Sequence, residues 1–345
     1  MNNSVLNDFS GIWNNGQQIC LMPVPRLILD MPLVSGSVRI YPADRVNFEE
    51  IGLVSWPERE WTEIARRGSG DLEWAKSAST GLSLENYSNH TIIAFPLKIN
   101  WERFLSGEHE FHKDILHEAI EIAEQVLDVI RYDFCRMELP ETLPGSAGTF
   151  EDRASFSSAI FYSNNPDNES YMIGAEVLTQ LTVCGLGLEI NSGVCLTEFG
   201  EGEVGNIIRQ GLSLRTQAME ANTLTTKFIM SMSVIDFLAE PNGYVSLKNI
   251  GKIVGRHCAQ TKQEYNPLLR RLEELTGGKG SGIRTKLVHE GHRLENLLTK
   301  DKIWSLFREL DHYIGKMISD MIPHSRKPWA AVEEWRVERK QELGL

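Results

Sequence analysis

Residues 223–239, TLTTKFIMSMSVIDFLA, are the most informative part of this sequence for its fold. Apolar side chains point in nearly every direction around an ideal helix here, which is typical of a helix surrounded by other helices. We therefore predict a buried helix over residues 223–239. A carboxylate in such a helix, that of Asp236, is costly to bury unpaired, so we expect a basic partner beside it.

The sequence on both sides of this helix predicts an all-α bundle over residues 201–325. An unbroken apolar stripe after Asp301, the expected N-cap, indicates a last long helix. This stripe consists of Ile303, Leu306, Phe307, Leu310, Ile314, Met317, Ile318 and Met321. Another helix is predicted after the Gly-rich link 276–282 from four apolar residues, Ile283, Leu287, Leu294 and Leu298. Residues 326–345 are predicted to form a polar tail.

Residues 1–200 are predicted to form a mixed α/β region. Short apolar runs between Pro, Gly, Asn and Asp residues indicate strands, for example at 26–29 and 91–95. Helical spacing of apolar residues over 112–134 indicates a long helix, and residues 155–196 are again typical of strands. The chain is therefore predicted to be an α+β protein, with a β-containing N-terminal region followed by a helical bundle.

The composition of the 345 residues excludes several classes of protein. With 35 Lys and Arg against 47 Asp and Glu, the net charge of −12 argues against a protein that coats nucleic acid by charge alone. Five scattered Cys without a Cys-x-x-Cys pair indicate neither a disulfide framework nor a zinc ribbon. The sequence shows no signal-peptide pattern and no membrane-length apolar run, so we expect a cytoplasmic protein without membrane contact. No metal site and no cofactor are predicted.

One segment reverses the overall charge. Lys248–Arg293 holds ten Lys or Arg and four Asp or Glu, a local net charge of +6 that leaves −18 for the rest of the chain. This is the footprint expected of a confined phosphate-binding groove. A set of solvated helix faces is an equally typical origin of such charges, and both interpretations remain open at this point.

Residues 284–291 within this basic segment read RTKLVHEG. On a continuous helix, Arg284 lies roughly 80° from the centre of the apolar stripe, and His289 lies roughly 140° from it on the other side. Neither side chain is therefore expected to point into the core of its own helix. Because the two do not share one face, a common site requires Arg284 to reach around the helix or a second chain to complete it.

The Arg-x4-His pattern in a late helix, continued by Glu-Gly, resembles the HEPN superfamily, and the longer match is to the Apea-like HEPN group. The resemblance covers residues 203–322, is weaker over 112–150, and is absent from the first hundred residues. It implies a helical ribonuclease-like domain of bacterial defence or toxin–antitoxin systems that forms a homodimer. It also implies that Arg284 and His289 are the catalytic pair and Asp236 their acidic companion.

The resemblance places Thr285 where the family usually has Asn, Asp or His. A threonine can form hydrogen bonds but cannot titrate, so Thr285 is assigned to RNA binding and not to proton transfer. Further RNA contacts are expected from side chains around the catalytic pair, namely Lys279, Lys286, His292 and Arg293.

These residue types suit metal-independent cleavage of RNA by attack of its own 2′-hydroxyl. His289 can act as general acid or base near neutral pH, while Arg284 stays charged and offers a planar fork to the phosphate. We therefore predict an endoribonuclease whose N-terminal region binds a trigger or an inhibitor protein. The alternative is a non-catalytic module of the same fold that dimerises or binds a protein or nucleotide without cutting RNA.

Overall fold

The computed structural model describes residues 5–10, 17–48, 62–67, 72–77, 87–105, 109–149, 156–162, 170–176, 185–190, 193–277 and 282–345. Within these ranges the N-terminal part contains an antiparallel sheet, and the C-terminal part is helical. The predicted α+β class is therefore confirmed. No helix in these ranges is long and apolar enough to cross a membrane.

The chain forms two units, and their boundaries differ from those predicted at residues 200 and 325. Unit 1 consists of Met1–Ala123 and Leu143–Val194, and unit 2 consists of Glu124–Thr142 and Cys195–Leu345. The end of the predicted helix near 112–134 therefore belongs to the helical unit and not to the N-terminal region. The last twenty residues also belong to unit 2 and do not form a separate polar tail.

Unit 1 contains a four-stranded antiparallel sheet. Its strands, in the order in which they pair, are β1 (Gln17–Val24), β7 (Thr91–Lys98), β4 (Val38–Tyr41) and β3 (Leu33–Ser35). A parallel pair is formed by β2 (Leu27–Leu29) and β10 (Leu186–Leu188). Two antiparallel pairs are β5 (Thr62–Arg67) with β6 (Leu72–Ser77), and β8 (Phe156–Tyr162) with β9 (Ser170–Glu176).

The helix α1 (Val5–Phe9) packs into the core of unit 1 with residues of the sheet. The buried members of this cluster are Val5, Phe9, Tyr41, Val46, Phe48, Ile92 and Ala94. The Tyr41 hydroxyl donates a hydrogen bond of 2.9 Å to the Asp8 carboxylate, which ties α1 to β4. A second short helix, α2 (Trp101–Leu105), follows β7. The strands predicted at 26–29 and 91–95 are thus confirmed.

The described part of unit 2 consists of helices and connecting loops. In chain order the helices are the end of α3 (His109–Phe134), α4 (Glu203–Glu220), α5 (Leu224–Ala239), α6 (Leu247–Cys258), α7 (Lys262–Thr276), α8 (Ile283–Val288), α9 (Leu294–Leu297), α10 (Lys300–Met321) and α11 (Ala330–Glu342). Single turns of 3-10 helix lie at Pro140–Thr142 and Ile322–His324. The long helix predicted near 112–134 is confirmed as α3.

The helix α5 is central to unit 2, as its apolar sequence predicts, and it packs against α4, α6, α9 and α10. The Thr223 hydroxyl caps its start by accepting a hydrogen bond from the Thr226 N–H. All eight residues of the stripe predicted for α10 are buried. However, α10 begins after Thr299 and not after Asp301. Asp301 therefore lies in the first turn, where its charge interacts favourably with the helix dipole.

The prediction of one helix from Ile283 to Leu298 is wrong. The helix α8 ends at Val288, and a turn with Gly291 at φ +71° separates it from α9. Thr225 on α5 holds the start of α9, because its hydroxyl accepts a hydrogen bond of 2.9 Å from the Leu294 N–H. The Leu294 side chain is fully buried, so burial of apolar surface favours the broken path of the chain.

A buried ion pair explains why the end of α3 belongs to unit 2. Arg215 on α4 and Asp311 on α10 lie 2.7 Å apart, and both are buried. Arg215 also donates hydrogen bonds to the carbonyl oxygens of Arg131 and Cys135, and Asp311 accepts one from the Met137 N–H. These side chains thus bind backbone groups at the end of α3, where a helix leaves its last carbonyl groups without intrahelical partners.

The C-terminal helix α11 is attached to unit 2 by a second buried arginine. Arg336 donates hydrogen bonds to the carbonyl oxygens of Leu238 and Ala239 at the end of α5. It also donates to Nε2 of His257 on α6, and Trp329 just before α11 is buried as well. These contacts show why residues near the C-terminus are part of the helical unit.

His257 makes the stability of unit 2 depend on pH. Its ring is buried, with Nδ1 3.1 Å from the Asp320 carboxylate, which Lys316 also contacts. Burial lowers the pKa of His257 from 6.5 to about 4, with the neighbouring Arg336 charge acting in the same direction. Between these pH values the unfolded chain binds a proton that the folded chain does not, so stability decreases as the pH falls through this window.

We expect the free energy of unfolding to decrease by about 3 kcal/mol between pH 7 and pH 4 through His257. Urea unfolding of the wild type and of His257→Gln over this range measures the effect, because the variant lacks the titrating ring. The variant is expected to be less stable at pH 7 but to lose less stability on acidification. The same decrease in both proteins would contradict the assignment to His257.

Candidate functional site

A cavity of about 500 Å³ lies in unit 2, between the end of α5 and the helix α8. The loop 240–246, the first turn of α6 and the end of α7 complete its walls. Its lining residues are Asp236, Phe237, Glu240, Pro241, Gly243, Tyr244, Val245, Leu247, Ile250, Thr276, Arg284, Thr285, Val288 and His289. The three residues predicted to be catalytic, Asp236, Arg284 and His289, thus line the same cavity.

Asp236 and Arg284 form an ion pair of the kind expected for a carboxylate in this helix. Arg284 Nη2 lies 3.5 Å from Asp236 Oδ2, and each side chain is 29% exposed. Burial raises the pKa of the Asp236 carboxyl, although the charge of Arg284 acts in the opposite direction. The other carboxylate oxygen, Oδ1, is buried and has no hydrogen-bond partner among the described residues. Because Arg284 Nη2 and Asp236 Oδ2 are 3.5 Å apart, the Arg284 guanidinium still has N–H groups available to a ligand.

His289 is the C-cap residue of α8, directly after Val288. Its N–H donates a hydrogen bond of 2.9 Å to the Thr285 carbonyl oxygen, and its side chain is exposed. A continuous helix would have placed Arg284 and His289 on different faces. Both residues nevertheless line one cavity of a single chain.

Two glycines bring the start of α8 close to the end of α7. Gly277 ends α7 at φ +98°, in the left-handed region that favours glycine. A Cβ atom at Gly277 would collide with the Thr285 hydroxyl, and a Cβ atom at Gly282 would collide with the Gly277 backbone. Side chains at these two positions would therefore push α8 away and displace Arg284 from the cavity.

Of the described residues predicted to bind RNA, Thr285 lines the cavity, whereas Lys286, His292 and Arg293 do not. Lys286 is half-buried on α8. His292 Nε2 lies 3.3 Å from the Glu290 carboxylate, and Arg293 is exposed at the N-cap of α9. Lys279 lies outside the described residues. The structure thus gathers the predicted catalytic residues but leaves most of the predicted RNA contacts outside the cavity.

Sequence reasoning missed the residues that form the wall opposite α8. Tyr244 and Glu240 line the cavity from the loop 240–246, which reads from the sequence only as a polar link. Phe237, on the last turn of α5, lines it as well. One signal could have indicated Tyr244. An aromatic ring in a turn with Pro, Asn and Gly has no core to fill, and such residues often bind ligands.

Comparisons of the chain with known protein families, with curated proteins and with solved structures found no match. The resemblance to the HEPN superfamily therefore remains a prediction from residues 284–291 and their helical setting. A function for this chain must be argued from the side chains around the cavity.

Proposed function

We propose that this chain is a cytoplasmic, metal-independent endoribonuclease of the HEPN type, acting as an effector in a bacterial defence or toxin–antitoxin system. The observation that carries the proposal is that Arg284, His289 and Asp236 line one cavity, although Asp236 comes from α5 and the other two come from α8 and its C-cap. A guanidinium and an exposed imidazole beside a space of this size can bind one phosphodiester and transfer a proton from the 2′-hydroxyl or to the 5′-oxygen.

In this proposal the ribose 2′-hydroxyl attacks the adjacent phosphorus atom, and the 5′-oxygen leaves. Arg284 binds the non-bridging oxygens and stabilises the charge that develops on the phosphorane. His289 accepts the proton of the 2′-hydroxyl or donates one to the 5′-oxygen. Asp236, 3.5 Å from Arg284, orients the guanidinium. The products carry a 2′,3′-cyclic phosphate and a 5′-hydroxyl, and DNA is not cleaved.

The reaction requires two proton transfers, but the cavity of one chain contains a single His289. The resemblance implies a homodimer in which two Arg284/His289 pairs face a shared groove, so that one ring serves each transfer. Unit 1 is proposed to bind a trigger or an inhibitor protein that controls cleavage.

One observation favours the second candidate, a non-catalytic binding module of the same fold. Among the described residues, no side chain forms a hydrogen bond or ion pair that would orient the His289 ring, and Thr285, directly after Arg284, cannot titrate. Such a module would hold a nucleotide or a protein segment in the cavity without cutting RNA.

Digestion of total RNA by the purified protein, with EDTA present, tests the proposal. We expect fragments that end in 2′,3′-cyclic phosphate, and we expect Arg284→Ala to slow cleavage by about 10²–10³-fold. Arg270→Gln is the matched control, because it removes an exposed charge from the same basic segment outside the cavity. If the wild type cuts no RNA while Arg284→Ala still dimerises and binds its partner, the binding module is supported instead.

A further inference from the structure

The loop 240–246 presents an aromatic ring that no other side chain in the described part of the chain covers. Tyr244 is 92% exposed, the highest value among the large apolar and aromatic side chains described as exposed. Tyr244 is also one of the residues that line the cavity containing Arg284 and His289. Proteins that recognise single-stranded RNA stack unpaired bases on exposed aromatic rings, while arginines hold the backbone.

Further apolar residues line the same cavity. Phe237 and Val245 line the cavity, and Val288, which is 49% exposed, lies beside His289. A flat base therefore finds apolar surface in the cavity while its phosphate stays at Arg284. A volume of about 500 Å³ is typical of a small-ligand site, which suits a single nucleotide and excludes a duplex.

Carboxylates form part of the polar surface of the cavity. Glu240 is half-buried at the end of α5, and Oδ1 of Asp236 has no hydrogen-bond partner among the described residues. An ionised carboxylate only accepts hydrogen bonds, so it favours a base edge that presents N–H groups. Cytosine presents an amino group at the position where uracil presents a carbonyl oxygen, which makes these two bases a sensitive comparison.

We infer that the cavity binds one unpaired base of single-stranded RNA beside the phosphate at Arg284. Tyr244 stacks on this base, and the Glu240 carboxylate accepts a hydrogen bond from its amino group. Cytosine is thereby preferred over uracil, whose carbonyl oxygen is repelled by the carboxylate. This inference rests on the proposed function in taking RNA as the ligand, but it does not require that the RNA is cut.

Binding of fluorescent 2′-fluoro oligonucleotides, measured by anisotropy, tests the inference because these probes lack the attacking hydroxyl. The full chain is expected to bind a cytosine tract more tightly than a uracil tract or a duplex. Tyr244→Ala is expected to weaken binding to the cytosine tract by at least roughly fivefold, and Tyr244→Phe to retain it. Glu240→Gln is expected to remove the preference for cytosine. Val337→Ala, at an exposed apolar position outside the cavity, is the control.

Three results would overturn the inference: wild-type affinity in Tyr244→Ala, an equal loss in Tyr244→Phe, or an unchanged base preference in Glu240→Gln. Circular dichroism of each variant checks that the fold is retained. Cleavage of total RNA, measured in parallel, separates this inference from the proposed function. Tyr244-dependent binding without cleavage supports the base site and overturns the nuclease, whereas cleavage that depends on Arg284 with wild-type binding by Tyr244→Ala overturns the base site alone.

Discussion

His289→Ala is expected to cut RNA about 10²–10⁴-fold more slowly than the wild type, because the proposed reaction then lacks its general acid or base. Binding of uncut RNA is expected to change little, since Arg284 and the cavity walls remain in place. His289 is exposed and makes no core contact, so the variant is expected to fold as the wild type does. Single-turnover cleavage of a labelled RNA measures the rate, and growth of expressing cells measures its consequence.

The matched control for this variant is His292→Ala. His292 lies on the same turn after α8, is exposed and pairs with Glu290, but it does not line the cavity. It is expected to cut RNA at the wild-type rate. If His289→Ala and the wild type cleave equally fast, the role assigned to His289 is excluded. If both histidine variants are slow, catalysis extends beyond the cavity.

Arg215→Met is expected to lower the free energy of unfolding by about 3–5 kcal/mol, the typical cost of removing one partner of a buried ion pair. The variant leaves the Asp311 carboxylate buried without its charged partner. It also leaves the carbonyl oxygens of Arg131 and Cys135 without the hydrogen bonds that join the end of α3 to unit 2. Urea unfolding followed by circular dichroism measures the loss.

Lys113→Met is the control for this loss, because Lys113 forms an ion pair with Glu110 in which the two side chains are 55% and 73% exposed. Such surface pairs contribute about 0–1 kcal/mol, so the control is expected to unfold close to the wild type. The double variant Arg215→Met/Asp311→Leu is expected to recover part of the stability, since it removes the unpaired charge as well. Equal stability of Arg215→Met and Lys113→Met would contradict the structural role given to Arg215.

The two long helices of unit 2 could be predicted because their burial is encoded in local periodicity. The apolar stripe of α10 and the apolar residues on all sides of α5 each extend over several turns. The local sequence is therefore enough to identify both helices. The expectation of a basic partner for Asp236 followed from the cost of burying a charge. The break between α8 and α9 could not be predicted, because one isoleucine and three leucines at helical spacing also suit one continuous helix.

The amino-acid sequence alone was sufficient for the α+β class, the central helix, and the choice of Arg284, His289 and Asp236 as the candidate site. Only the tertiary structure decided that these three line one cavity and that Tyr244 and Glu240 form its other wall. The physical reason is that the residues in contact are far apart in the sequence. The ion pair between Arg284 and Asp236 joins residues 48 positions apart, and no local pattern of apolar residues identifies such a partner.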